Sequence, residues 1–138
     1  MIFIDTGAFL ARYVAEDRLH ARAVAGWNRL IAERVAAFTS SLVLSETFTL
    51  LARRAGYAFA AERARHILDS GALTVLRPSE RQDREALVLF EKFADQAVSF
   101  ADCASFALMR HHRIKRAFAF DRHFALAGFA LWPDSEPE

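Results

Sequence analysis

Short apolar runs alternate with longer stretches of helical period along the whole chain, and this alternation narrows the fold more than any other feature. The apolar runs fall at residues 2–4, 36–39, 73–76, 117–120 and 129–132. Between them, apolar side chains recur every three or four positions over residues 8–15, 19–33, 42–53, 58–68, 80–94 and 101–110. A buried strand needs only a few consecutive apolar residues, whereas a surface helix needs one apolar stripe. The pattern therefore predicts an α/β protein in which helices join parallel strands. Gly56, Gly71 and the stretch Arg77, Pro78, Ser79 punctuate it without creating a linker. A single domain is expected over residues 1–133, followed by a short, acidic, disordered tail at 134–138.

Size and composition agree with one core. The chain has 138 residues, 54% of them hydrophobic and 25% charged, enough for one ordinary domain and too few for two. Arg, Asp, Glu or Ser interrupts every apolar stretch well before the ~20 residues that a membrane span requires. The opening residues Met1 to Asp5 do not resemble a basic, cleavable leader. A cytoplasmic protein with no membrane role is expected. The lone Cys103 excludes an intramolecular disulfide and a multi-cysteine zinc site, and is expected to be a buried, inert thiol.

In an open parallel sheet, ligands bind beyond the carboxyl ends of the strands, near the point where strand order reverses. Four acids are expected at that rim. Asp5 closes the first strand in IFIDT, and Asp121 closes the fourth in FAFDRHF. Glu46 lies in the second turn of the helix that follows the second strand. Asp102 opens the helix that must run back to the amino end of the fourth strand. Asp5 with Thr6, and Ser99 with Asp102, could also cap helices, and Asp121 could open a turn. Glu46 shares its stripe with Leu42, Val43, Thr49 and Leu50, so it is expected to face the core and to need a positive partner. Crowded carboxylates repel unless a cation neutralises them. An all-oxygen set without His or Cys favours Mg²⁺ or Mn²⁺ over zinc. Such ions support in-line displacement at phosphorus, with Thr6 and Ser99 as supporting hydroxyls.

The stretches IFIDTGAFLA, SSLVLSETFTLL, VSFADCASFALMR and FAFDRHFALAGF together resemble the PIN-domain ribonucleases, specifically the VapC-like toxins of toxin–antitoxin pairs. That resemblance implies a five-stranded, mainly parallel sheet flanked by helices on both faces. It places Asp5, Glu46, Asp102 and Asp121 on the acidic quartet that binds Mg²⁺ or Mn²⁺ and cleaves structured RNA. It also implies a homodimer and a small antitoxin whose tail blocks the site. One departure is Ala101, where these toxins often carry Thr before the third acid.

Sixteen of the eighteen basic residues are Arg, the side chain best suited to gripping phosphates in pairs of hydrogen bonds. Arg77, Arg81, Arg122 and His123 follow strand ends on the acidic side and are the expected RNA contacts. His123 could equally pack the turn. The run RHHRIKR, residues 110–116, leads into the amino end of a strand and is expected to serve the helix terminus instead. Phe9, Tyr13 and Trp27 are candidates for an apolar antitoxin groove or for the core. Rival readings are a metal-dependent phosphatase, a non-catalytic scaffold and a DNA-directed nuclease. The phosphatase would pair adjacent acids with a Lys at a late strand end, the scaffold would have lost an acid, and neither pattern is present.

Overall fold

The computed structural model describes residues 1–133, so the tail expected at 134–138 lies outside the described residues. In chain order the elements are β1 (Ile2–Ile4), α1 (Thr6–Tyr13), α2 (His20–Ala32), β2 (Ala37–Ser40), α3 (Ser41–Ala55), α4 (Tyr57–Asp69) and β3 (Leu73–Leu76). The second half continues with α5 (Glu80–Lys92), α6 (Phe100–His112), β4 (Arg116–Phe118), α7 (His123–Leu126) and β5 (Ala130–Leu131). The five strands form one sheet in the order β3-β2-β1-β4-β5. Every pairing is parallel rather than merely most of them.

The central strand shows why the sheet must be covered twice. Side chains alternate between faces along a strand, yet Ile2, Phe3 and Ile4 are all 0% exposed. Both faces therefore pack against other elements. Ile4 and Phe118 are register partners, as are Phe3 and Ala117, so Phe118 and Phe3 point to opposite faces. On one side Trp27 of α2 bridges Phe9 of α1 (5.3 Å between ring centres) and Phe118 (5.7 Å). On the other, Phe124 of α7 contacts Phe3 (6.2 Å) and Phe106 of α6 (5.1 Å). Gly26 lets α2 settle on the sheet: a Cβ there would lie 2.6 Å from Cζ of Phe118.

Two strands are shorter than the sequence expectation. The fourth strand ends at Phe118 rather than Phe120, and the fifth shrinks to Ala130–Leu131. The apolar residues beyond them pack as loop: the Phe120 ring meets Phe118 edge-on at 5.8 Å, and Trp132 meets Phe118 at 5.2 Å. Apolarity reports burial, and burial continues past the last ladder bond. The short helix α7 was not legible because one turn is too brief to show a period.

Candidate functional site

The sheet order reverses on either side of β1, so the gap between the carboxyl ends of β1 and β4 is the switch point. Asp5 stands directly on it. Its N–H donates to the Phe118 carbonyl (3.0 Å), which ties the end of β1 to the end of β4. Asp5 occupies the N-cap position of α1, but its side chain makes no cap hydrogen bond. It is only 6% exposed. Burial first, and then the negative charges of Asp102 and Asp121, hold its pKa well above the usual carboxylate range. The adjacent Thr6 N–H opposes this, while Glu46 adds to it. Thr6 itself is buried at the start of α1.

Asp102 is the third residue of α6. Ser99 is the true cap, its Oγ accepting the Asp102 N–H at 3.0 Å. The reciprocal half of a capping box is absent, because the Asp102 carboxylate turns to Nδ1 of His123 at 3.1 Å. Burial raises the Asp102 pKa, against the His123 hydrogen bond, and the charges of Asp121 and Glu46 raise it further. Burial also pushes the neighbouring Cys103 thiol up, with Asp102 adding to the effect.

Asp121 is exposed in the bend after β4, three residues beyond the strand end. Its Oδ1 accepts the His123 N–H at 2.9 Å, a local turn built on an Asp side chain. The Asp121 charge nevertheless acts through space on Asp5 and Asp102.

Glu46 corrects the sequence reading. It is exposed, whereas Val43, Leu44, Thr47 and Leu51 form the buried face of α3. The stripe chosen from the sequence lies at the margin of that face, so Glu46 overlooks the rim and needs no buried counter-charge. Its field nevertheless reaches Asp5 and Asp102. The four expected acids are thus electrostatically joined in space, and no Lys or Arg forms an ion pair with any of them among the described residues.

The basic residues divide by edge. Arg77, Arg81 and Arg122 are exposed. Arg122 adjoins Asp121, whereas Arg77 follows β3, two strands from β1 and so roughly 10 Å along the rim. Arg81 pairs with Glu85 one turn along α5 at 3.5 Å. Arg116 lies opposite Ile2 at the amino end of the sheet, and Arg110, His111 and His112 occupy the last turn of α6, where a helix terminus favours positive charge.

His123 has a neighbour that the sequence did not disclose. It was expected to meet phosphate or to pack the turn, and the acid cluster was taken as free of nitrogen. Instead Asp102, Asp121 and His123 each bring a potential ligand atom within 4.8 Å of the others. The Asp-Arg-His spacing directly after an apolar run was the available signal.

Away from the rim, a concavity of about 320 Å³ opens between α1, α2 and α4. Phe9 and Trp27 wall it while remaining nearly buried, so they belong to the core and also line the cleft. The sequence did not disclose its cationic lining. The Arg12 guanidinium lies 4.3 Å from the Trp27 ring centre, and Arg63 lies 5.8 Å from that of Tyr13.

A parallel sheet with acids gathered at its switch point defines a class, and comparison with known families specifies which: the chain belongs to the PIN-domain family, whose model matches residues 2–130. It is also 36% identical over 129 residues to the 23S rRNA-specific endonuclease VapC20 of Mycobacterium tuberculosis, in both the CDC 1551 / Oshkosh and H37Rv strains, spanning 94% of this chain and 95% of that protein. The crystal structure of Mycobacterium tuberculosis VapC20, described as a sarcin-ricin loop cleaving toxin, superposes with a TM-score of 0.84 at 36% identity, covering 94% of this chain and 97% of that one. The fold is therefore that of a VapC-like toxin endoribonuclease.

Proposed function

We propose that the protein is a divalent-metal-dependent endoribonuclease that hydrolyses phosphodiester bonds in structured RNA through Asp5, Glu46, Asp102 and Asp121. The observation that carries this reading is Asp5: a carboxylate 6% exposed, with the carboxylates of Asp102, Asp121 and Glu46 all raising its pKa. Such a cluster is unfavourable by itself and becomes favourable around a cation. The donors are mostly carboxylate oxygens, which fit Mg²⁺ or Mn²⁺. A divalent ion held there would stabilise charge at phosphorus and assist in-line displacement.

The chain's own residues divide the remaining work. Asp5 and Asp102 form the buried half of the site, while Asp121 and Glu46 stand at its open margin, where an RNA backbone can approach. Arg122, beside Asp121, and Arg77 and Arg81 further along the rim would hold flanking phosphates. Such contacts orient the strand and weaken with salt. Thr6 has a hydroxyl near the site, whereas the Ser99 oxygen is already engaged in capping α6.

The similarity to VapC20 supports a 23S rRNA substrate at the sarcin–ricin loop and a toxin role, and the resemblance to toxin–antitoxin pairs adds a cytoplasmic homodimer and a small antitoxin to the proposal. Among the described residues no helix is long and apolar enough to cross a membrane. The cleft walled by Phe9, Tyr13 and Trp27 is the surface for the antitoxin. The test is cleavage of an RNA hairpin carrying the sarcin–ricin sequence. Activity should vanish with EDTA and return with Mg²⁺ or Mn²⁺, and undiminished cutting after exhaustive chelation would refute the metal mechanism.

A further inference from the structure

We propose that His123 ligates the metal through its imidazole, so that the centre is a mixed nitrogen–oxygen site that selects a first-row divalent transition ion over Mg²⁺. This rests on the metal-dependent reading above and adds to it a donor outside the four acids.

The geometry begins with the turn after β4. The Asp121 carboxylate accepts the His123 N–H at 2.9 Å, which fixes the backbone from which the imidazole projects. The ring is half-buried, and Nδ1 stands 3.1 Å from Oδ2 of Asp102. Adjacent donors around an octahedral ion with bonds of about 2.1 Å are separated by about 3 Å, and opposite donors by about 4.2 Å. The Asp102–His123 separation matches an edge of that octahedron. With Asp121 included, the three donor atoms lie within 4.8 Å of one another, so small side-chain rotations would close them on a single ion.

Asp5 gives an independent reason for a cation here. It is a buried carboxylate on the same rim, and the side chains acting on it are Asp102, Asp121 and Glu46, all of them negative when ionised. Oxygen ligands alone would suit Mg²⁺, whereas an imidazole nitrogen in the coordination shell favours transition ions, which bind nitrogen more strongly.

Mn²⁺ is the probe, because it is paramagnetic and reports the nuclei bound to it. The full chain, loaded with Mn²⁺, is examined by electron spin-echo envelope modulation for coupling to ¹⁴N of a directly bound imidazole. The chain has five histidines, but His111 and His112 end α6 at the opposite edge of the sheet. His20 bonds the Ala11 carbonyl, and His66 lines the separate aromatic cleft. The expected result is a ¹⁴N coupling that disappears in His123→Asn. In that variant the ratio of Mg²⁺ to Mn²⁺ dissociation constants, measured by calorimetry, should fall by about tenfold or more, on the scale of losing a group that supports a metal. A His123 that only oriented Asp102 would give at most the weak dipolar ¹⁴N modulation of a nitrogen outside the first shell, without the larger coupling of a directly bound imidazole. Bound Mn²⁺ without that coupling therefore overturns the proposal while leaving the carboxylate site intact. Failure of Mn²⁺ to bind at all overturns both. The wild-type spectrum decides even if the variant does not fold.

Discussion

Helix α1 serves two regions of opposite physical character. Its first turn, with Asp5 before it, borders the carboxylate rim; Phe9, Arg12 and Tyr13 further along it border the aromatic cleft. At the rim, ionisation of a buried acid is opposed by its surroundings. At the cleft, the Trp27 Nε1–H donates to the Ala8 carbonyl at 3.0 Å and the ring packs against Phe9, Phe118 and the Arg12 guanidinium. The rim therefore spends folding free energy, and the cleft supplies it. A site assembled for charge conflicts with its own stability, and the packing a few residues away must offset that conflict.

Three experiments can break or sharpen the contrast. The largest effect concerns chemistry. If all four share one charge-stabilising centre, as proposed, Asp5→Asn, Glu46→Gln, Asp102→Asn and Asp121→Asn should each lower the RNA cleavage rate by roughly two or more orders of magnitude. Single-turnover rates at saturating metal check this, and near-wild-type cleavage by the Asp5 or Asp102 variant would mean that the centre lies elsewhere.

The next effect is on the cleft side. Trp27→Ala should destabilise the fold by about 3–5 kcal/mol, the usual loss for a truncated buried aromatic. Denaturant titration measures it. The metal-induced rise in melting temperature should survive, since the rim is untouched. If that rise disappeared together with the stability, the two regions would be one cooperative site rather than opposing ones.

The smallest effect has the most informative sign. A folded-state pKa above the ordinary value of 3.8 means that folded Asp5 retains its proton to higher pH than the unfolded chain does. Stability of the metal-free protein should thus fall as pH rises from about 4 through the folded pKa, the unfolded state binding fewer protons over that window. Asp102, also raised, acts in the same direction. Metal-free Asp5→Asn lacks this penalty. It should melt a few degrees above the wild type at pH 7, with the gap closing toward pH 4, and excess Mn²⁺ should reverse the order. A metal-free variant that melts lower at every pH would show that Asp5 is chiefly a structural residue.

The two halves of the site were legible to different degrees. Asp5 could be located because it follows a three-residue apolar strand, and strand ends in a parallel sheet lie at one edge. Asp102 could be located because its helix has to re-enter the sheet at the far edge. Glu46 was placed on the correct helix but on the wrong side of its burial boundary. Helical period gives an angle around an axis, and a residue at the margin of the stripe is buried or exposed according to what the neighbouring elements cover. The relatedness of His123 to Asp102, 21 residues apart, had no periodic signal at all.

The sequence by itself determined the class of fold, the number of strands and the rim on which the acids fall, because these follow from periodicities that repeat over many residues and from the polarity of parallel strands. It also determined that Cys103 stands alone, and that the 110–116 basic run belongs to the amino edge, where Arg116 pairs in register with Ile2. Only the tertiary structure decided which carboxylates are buried, that Arg12 and Arg63 line the aromatic cleft, and that an imidazole enters the acid cluster. Each of these depends on distances between side chains from separate elements. Such distances are set by how helices seat on the sheet, as Gly26 seats α2 on Phe118, and a one-dimensional pattern does not encode them because the same period is compatible with many rotations and offsets of the packed elements.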